Sequence, residues 1–451
     1  MPSPLRAVAA KCPSTSDNGL RAVARVATYL VIFSIPIDEM LPMPSVGTAS
    51  RVLGIVAFGL ALLGTLGSSG MRPLRLPHKL MLLFVGWSAI TVLWSPVPEE
   101  SLQKILTYAQ CLGLVWLIWE LAWQSRERTK LLQAYVLGCT VSALTTVHSY
   151  LTGVSYGAEA RYSAVILGPQ FDPNEAAITY ALATSILIYM WTAARRGQFP
   201  RGVVVALFGL MVFSVGLTGS RGGLLALGAG ILLTPLWAVG RRRKVAYLTV
   251  VTLLLGIGVA AFTFVPAESL GRLSTIRNEL EVGSIGSRRI IWGAGLAVFK
   301  GAPIIGVGVA GYGRAIAPIY GKDSVAHNSF LSVLVETGIV GFSIYMLLLV
   351  SLASGCKRSR DSQRFLALTL LAVWCVGASS LTWEYRKPAW LVFAFASLFQ
   401  ITAVRRCGDL LRGRGRVLSG WDARSMPAEV RAAEDGQRVA RVSVRSTGGT
   451  L

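Results

Sequence analysis

Apolar runs recur along the whole chain, and a backbone built of such runs has few ways to fold. Twelve can be counted: Val26–Ile37, Val52–Leu66, Leu80–Leu93, Ile105–Trp123, Leu131–Leu151, Ala176–Ala194, Val203–Leu217, Leu224–Val239, Val245–Val265, Ser329–Ala353, Phe365–Leu381 and Ala389–Val404. In lipid, every backbone N–H and C=O must be satisfied within the protein, so spans of this kind are helices. A span needs about 20 residues, so the shorter runs must extend into their flanks. The expected fold class is an all-α polytopic membrane protein of about 12 transmembrane helices. One large outer segment, 266–326, separates the ninth and tenth. Residues 1–25 read as a polar cytoplasmic arm, 26–404 as the membrane domain and 405–451 as a basic disordered tail. Pro36, Asp38 and Glu39 interrupt the first run, and the first five runs carry little polar signal.

Charge gives the orientation. The chain is 53% hydrophobic and only 15% charged, where a soluble protein carries about 25% charged residues. Twelve spans put both termini on one side, and 31 of the 44 basic residues fall there. The positive-inside rule makes that side the cytoplasm. The net charge of +22 therefore reflects topology and contact with anionic membrane lipids, and nucleic acid is not an expected partner. The cysteines (Cys12, Cys111, Cys139, Cys356, Cys375 and Cys407) fall in spans or cytoplasmic segments, so no disulfide is expected. No cleavable signal peptide is evident.

The polar residues of interest lie on the outer side. His327 and Asn328 stand at the mouth of the tenth run. Taken as one helix at about 100° per residue, that run puts Gly338 about 20° from His327, with Gly341 on the same stripe. Such a face carries an imidazole above a glycine groove that another helix or a lipid chain can approach. Glu336 falls near the opposite face, where it is either functional or a helix–helix hydrogen bond. Arg161 lies in the loop before the sixth run. There Asp172-Pro173-Asn174-Glu175 reads as a helix start, with Asp at the N-cap and Pro at the first helical position. Thr218-Gly219-Ser220-Arg221-Gly222-Gly223 sets Arg221 in a tight turn at a helix N-terminus, an arrangement suited to an anion.

In the large outer segment, the stretch from Gly286 to Lys300 reads as an amphipathic helix. Arg288 shares the apolar stripe with Ile291, Trp292, Gly295 and Phe299, whereas Arg289 turns toward solvent. A charge on a packed stripe needs a partner, so Arg288 is the stronger candidate. Gly306-Val307-Gly308-Val309-Ala310-Gly311 has the spacing of a dinucleotide motif but no βαβ surroundings; it reads as a flexible loop leading toward His327. Arg386 sits in the last outer loop. His148, at the outer end of the fifth run, reads as an interfacial histidine. With three histidines in all and no clustered ligands, neither a metal site nor a cofactor is expected.

Arg161, Arg221, Arg288 and His327 thus gather on a side that the charge bias otherwise depletes. Arginines bind phosphate bidentately and stay charged. A neutral histidine can take a proton from a hydroxyl. That combination suits group transfer from a membrane-bound diphosphate, whose leaving group gains negative charge.

The motifs also carry a resemblance. His327, Asn328, Gly338 and Gly341, in the spacing HN-x9-G-x-x-G, resemble the signature of bacterial O-antigen ligases. GSRGG around Arg221, SRRIIW before PIIGVG, and EYRKPAW resemble motifs of the wider superfamily of O-antigen polymerases and protein O-oligosaccharyltransferases. The similarity covers roughly residues 155–395. It implies a GT-C-like membrane glycosyltransferase that moves glycan from undecaprenyl diphosphate to a lipid A–core hydroxyl at the periplasmic face of the inner membrane, with inversion and without metal. By the same resemblance His327 is the base, and Arg221, Arg288 and, less securely, Arg161 bind the diphosphate, with Asn328 beside them. Arg289, Glu336 and Arg386 are secondary candidates. A polymerase or a protein glycan ligase shares this donor chemistry. A solute transporter would instead place its binding residues at mid-membrane with repeat symmetry.

Overall fold

In the computed structural model, residues 19–399 are described apart from 41, 44–46, 68–70, 123, 158–160, 194–199, 358–361 and all but scattered positions of 235–283. Thirteen α-helices form among the described residues: α1 Gly19–Ser34, α2 Ala49–Leu66, α3 Leu76–Ile90, α4 Pro98–Leu121, α5 Ser125–Leu151, α6 Pro173–Ala193, α7 Arg201–Thr218, α8 Arg221–Leu233, α9 Ser284–Gly301, α10 Tyr312–Tyr320, α11 Ser329–Lys357, α12 Ser362–Ala378 and α13 Lys387–Ser397. Eleven of the twelve apolar runs lie on these helices as far as their residues are described; of the ninth, 245–265, only scattered positions are described, and residues 1–18 and the tail lie outside the described residues. Among the described residues, six helices are long and apolar enough to cross a membrane. They are α1 and α3, each with a 3-10 extension, and α2, α5, α7 and α11, while α8 and α12 are shorter apolar helices.

The helices pack around α6, in which every residue from Ala176 to Met190 is buried. It contacts α5, α7, α8 and α12. A helix surrounded in this way must be apolar or small on every face, and Ala176, Ala177, Ala181 and Ala183 supply that. Gly223 of α8 meets Ala177, and Gly377 of α12 meets Ile178, so closely that neither site has room for a Cβ. Small residues at helix crossings let backbones approach in this way.

Two features correct the sequence reading. First, α1 begins at Gly19, within the segment read as an arm. Its early turns are held by Arg21, 2.8 Å from Glu120, and by Arg25, 3.8 Å from Glu127. Second, α11 is not one continuous helix. Gly338 has φ 66° and ψ −172°, which breaks it. The stripe drawn from His327 through Gly338 to Gly341 therefore does not exist. At Gly341 a Cβ would meet Thr337 and Trp87, so that part of the expected groove is filled by α3.

The break is satisfied by the segment expected to be flexible. Val307 N donates to the Val335 carbonyl (3.0 Å) and Gly308 N to the Glu336 carbonyl (2.9 Å), while Ile339 N donates to Pro303 (2.9 Å). Trp87 Nε1 takes the Thr337 carbonyl at 2.9 Å. The glycine-rich stretch is thus a docked loop, fixed by the backbone groups that the broken helix releases. Gly306, at φ +73°, and Gly338 face each other across this contact.

Candidate functional site

The site forms where α6, α8 and α11 begin and α9 passes. At α8, Gly219 adopts the left-handed conformation (φ 59°) that ends α7, and Ser220 starts α8 by accepting from Gly223 N at 3.2 Å. Arg221 is the first residue of that helix. The flanking glycines serve close packing: Gly222 lies against Ser380 and Gly223 against Ala177. At α6, the Asp172 carboxylate accepts from Asn174 N (2.8 Å) and Glu175 N (3.2 Å), which is the expected N-cap.

On α9, Arg288 is half-buried and Arg289 exposed, the orientation that the helical phase requires. Ile291 and Ala294 are buried below Arg288, against Tyr312 of α10. Trp292 of the same helix donates to the Ala326 carbonyl at 2.8 Å. That bond fixes the chain one residue before His327, whose backbone is left-handed (φ 46°). Such a conformation is strained for a non-glycine residue and persists only where its surroundings hold it. Asn328 supplies the other constraint. Its Oδ1 accepts from Leu331 N at 3.0 Å, so it caps α11. This structure gives it a capping role, beside the substrate contact expected of it.

The charges act on one another. Arg288 feels both Asp172 and Arg221, and His327 feels both Arg288 and Asp172. Burial lowers the His327 pKa below its ordinary value; Arg288 pushes in the same direction, and Asp172 opposes them. Burial also lowers Arg288, against the pull of Asp172 and with the push of Arg221. The result is a neutral imidazole beside permanent cations. Such a cluster can hold an anion and accept a proton.

The remaining candidates are structural ties. Arg161 donates from Nε to the Thr218 carbonyl (3.0 Å) and from Nη2 to Asn174 Oδ1 (2.9 Å). It joins the end of α7 to the start of α6, a local role that the sequence reading did not foresee. Arg386 is paired with Glu39 at 2.5 Å and with Glu175 at 2.9 Å. Glu336 pairs with Lys104, and His148 is exposed. Asp38 and Glu39, the interruption of the first run, form a 3-10 turn whose acids reach Lys387 and Arg386. These acids adjoin the first run and Lys104 the fourth, so the first five helices contribute polar groups after all. Lys104 had one sequence signal: it is among the few basic residues that the charge bias leaves opposite the termini. Trp383, whose indole donates to Glu175 at 3.2 Å, had none. Among the described residues, no three His, Cys, Asp or Glu side chains gather as a metal site.

These observations define a class: a polytopic helical membrane protein with a histidine among arginines at one end of its bundle. Within that class, residues 206–346, about a third of the chain, match the family described as O-antigen ligase. The family implies a glycosyltransferase-like membrane enzyme of the ligase or polymerase type. No curated protein matches the chain. The matched segment runs from α7 into α11 and includes Arg221, Arg288, His327 and Gly338, whereas Arg161, Asp172 and Arg386 fall outside it.

Proposed function

We propose that the chain is an O-antigen ligase-type glycosyltransferase. It moves a glycan from undecaprenyl diphosphate to a hydroxyl of the lipid A–core, at the periplasmic face of the inner membrane and with both termini cytoplasmic. The observation that carries this reading is the placing of Asp172, Arg221 and His327 at the starts of α6, α8 and α11, with Arg288 on α9 near enough to feel Asp172 and Arg221 and to act on His327. The acceptor oxygen attacks the anomeric carbon, and the bond from that carbon to the diphosphate oxygen breaks. The diphosphate leaves with the electron pair, and the hydroxyl proton passes to the His327 imidazole. Arg221 and Arg288 stabilise the charge that grows on the leaving group, as fixed cations do in a water-poor site. A single displacement inverts the anomeric centre.

The helix break at Gly338 is of a kind that transporters use to bind ions. Here its carbonyls are taken by Val307 N, Gly308 N and Trp87 Nε1, which favours transfer chemistry over transport. The test is a lipopolysaccharide gel of a deletion strain beside an assay for lipid-linked glycan. Loss of every O-antigen band with accumulation of long lipid-linked polymer is the expected result. A single repeat unit still on the core would replace ligase by polymerase. An unchanged ladder would remove the lipid A–core as acceptor.

A further inference from the structure

A second basic cluster lies at the end of the bundle away from His327, where α4 ends and α3 and α5 begin. The 27 residues of α5 separate the two ends by about 40 Å at 1.5 Å per residue. The Arg72 guanidinium carbon lies over the Trp119 indole, 3.4 Å from the ring centroid, and its Nη1 donates to the Trp119 carbonyl at 2.8 Å. Arg75 is half-buried, and its Nε is buried without a hydrogen-bond partner among the described residues. Arg128 and Arg75 are both near enough for their charges to act on Arg72.

The carboxylate at hand is already engaged. Glu120 accepts from Arg21 Nη2 at 2.8 Å and from the main-chain N–H of Arg72 at 2.9 Å. Neither the Arg72 nor the Arg75 guanidinium forms an ion pair with a carboxylate among the described residues. Burial and Arg128 push the Arg72 pKa down to about 10, with Glu120 opposing, so Arg72 stays charged at neutral pH. Adjacent half-buried cations that keep their charge are costly unless an anion answers them. The surroundings indicate which kind. Met71, Leu74 and Leu76 alternate with the two arginines and are 52%, 39% and 59% exposed. Exposed apolar side chains interleaved with arginines at helix ends match the boundary between acyl chains and headgroups.

We propose that Arg72 and Arg75, with Arg128 beside them, form a binding site for the phosphate of an anionic phospholipid. The site is separate from the His327 cluster and does not depend on the glycan-transfer reading. The experiment is native mass spectrometry of the full chain in detergent, with cardiolipin, phosphatidylglycerol or phosphatidylcholine added. Wild-type protein is expected to retain the two anionic lipids in preference to phosphatidylcholine. Each arginine replaced by Gln should weaken retention about tenfold, the worth of one charge-assisted contact. Arg126→Gln, at an exposed arginine of the same end, should change it by less than about twofold. Arg75→Gln breaks no side-chain hydrogen bond among the described residues and is the variant that keeps its fold. Retention by Arg75→Gln equal to wild type, or equal losses in Arg126→Gln and Arg75→Gln, overturns the site. Thermal protection by inorganic phosphate matching that by the anionic lipids would assign the cluster to a soluble anion and overturn the lipid.

Discussion

Lys104 Nζ lies 2.8 Å from Glu336 Oε2, across 232 positions of sequence. The same amine reaches Glu384 Oε1 at 2.9 Å, and Glu384 is fully buried with its Oε2 unpaired among the described residues. One ammonium thus ties α4, α11 and the connection between α12 and α13. Glu336 also receives the Gly308 N–H on its carbonyl at 2.9 Å, so it grips the docked loop as well. Directly after that loop, Tyr312 of α10 donates to the Ile291 carbonyl at 3.0 Å, which connects the grip to the helix of Arg288.

Removing the cation from this trio should be far more damaging than removing all its charges. Lys104→Met leaves two buried carboxylates unanswered and is expected to destabilise the protein by about 3–5 kcal/mol. Adding Glu336→Gln and Glu384→Gln to it should restore most of that loss, because neutral amides are cheaper to bury than ions. Thermal unfolding in detergent reads both. A Lys104→Met protein as stable as wild type would show that the trio does not hold the helices together.

Arg288 and Arg289 are neighbours in sequence and opposites in environment. Arg288→Ala should lower transfer by about 10²–10³-fold, as loss of a fixed charge at a leaving group does. Arg289→Ala, at an exposed position, should stay within about threefold of wild type. Initial rates of transfer from a lipid-linked glycan compare them directly, and the reverse ranking would move the diphosphate contact to Arg289.

How much of this was legible in the sequence depends on the range of the cause. The helices were legible because apolar periodicity is local, and the phase of Arg288 was legible because it is set within two turns of one helix. The Asp172 cap followed from four consecutive residues. The break at Gly338 was not legible, since a glycine in an apolar run reads equally as a packing surface, and what unwinds it is a loop about 30 positions earlier. The ties made by Arg161, Arg386 and Lys104 were hidden for the same reason. Each rests on a partner 13 or more positions away, and a single sequence gives no register between helices.

Glycine substitutions should sort by that break. At Gly338 the backbone is left-handed, and a Cβ would strike the backbone of Ile304 and Gly306. Gly338→Ala is therefore expected to cost at least about 1–3 kcal/mol, and more where the loop is displaced. Gly209, helical in α7 with open space around its Cβ position, should behave oppositely, with Gly209→Ala stabilising by about 0.5–1 kcal/mol. Unfolding midpoints that move the same way for both variants would contradict the geometry of the break.

If His327 is the base, its neighbours should move the pH profile in opposite directions. A base works when neutral, and burial together with Arg288 lowers the His327 pKa. The acid limb of kcat/KM should therefore lie below the ordinary histidine value of about 6.5. Arg288→Gln removes a charge that lowers the pKa, so the limb of its residual activity should shift upward. Asp172→Asn removes a charge that raises the pKa, so its limb should shift downward. A general loss of structure would not produce shifts of opposite sign. His327→Ala should lower kcat by about 10²–10⁴-fold while binding of the lipid-linked donor persists. Turnover at the wild-type rate by that variant, or limbs that stay fixed in both neighbours' variants, would take the base role away from His327.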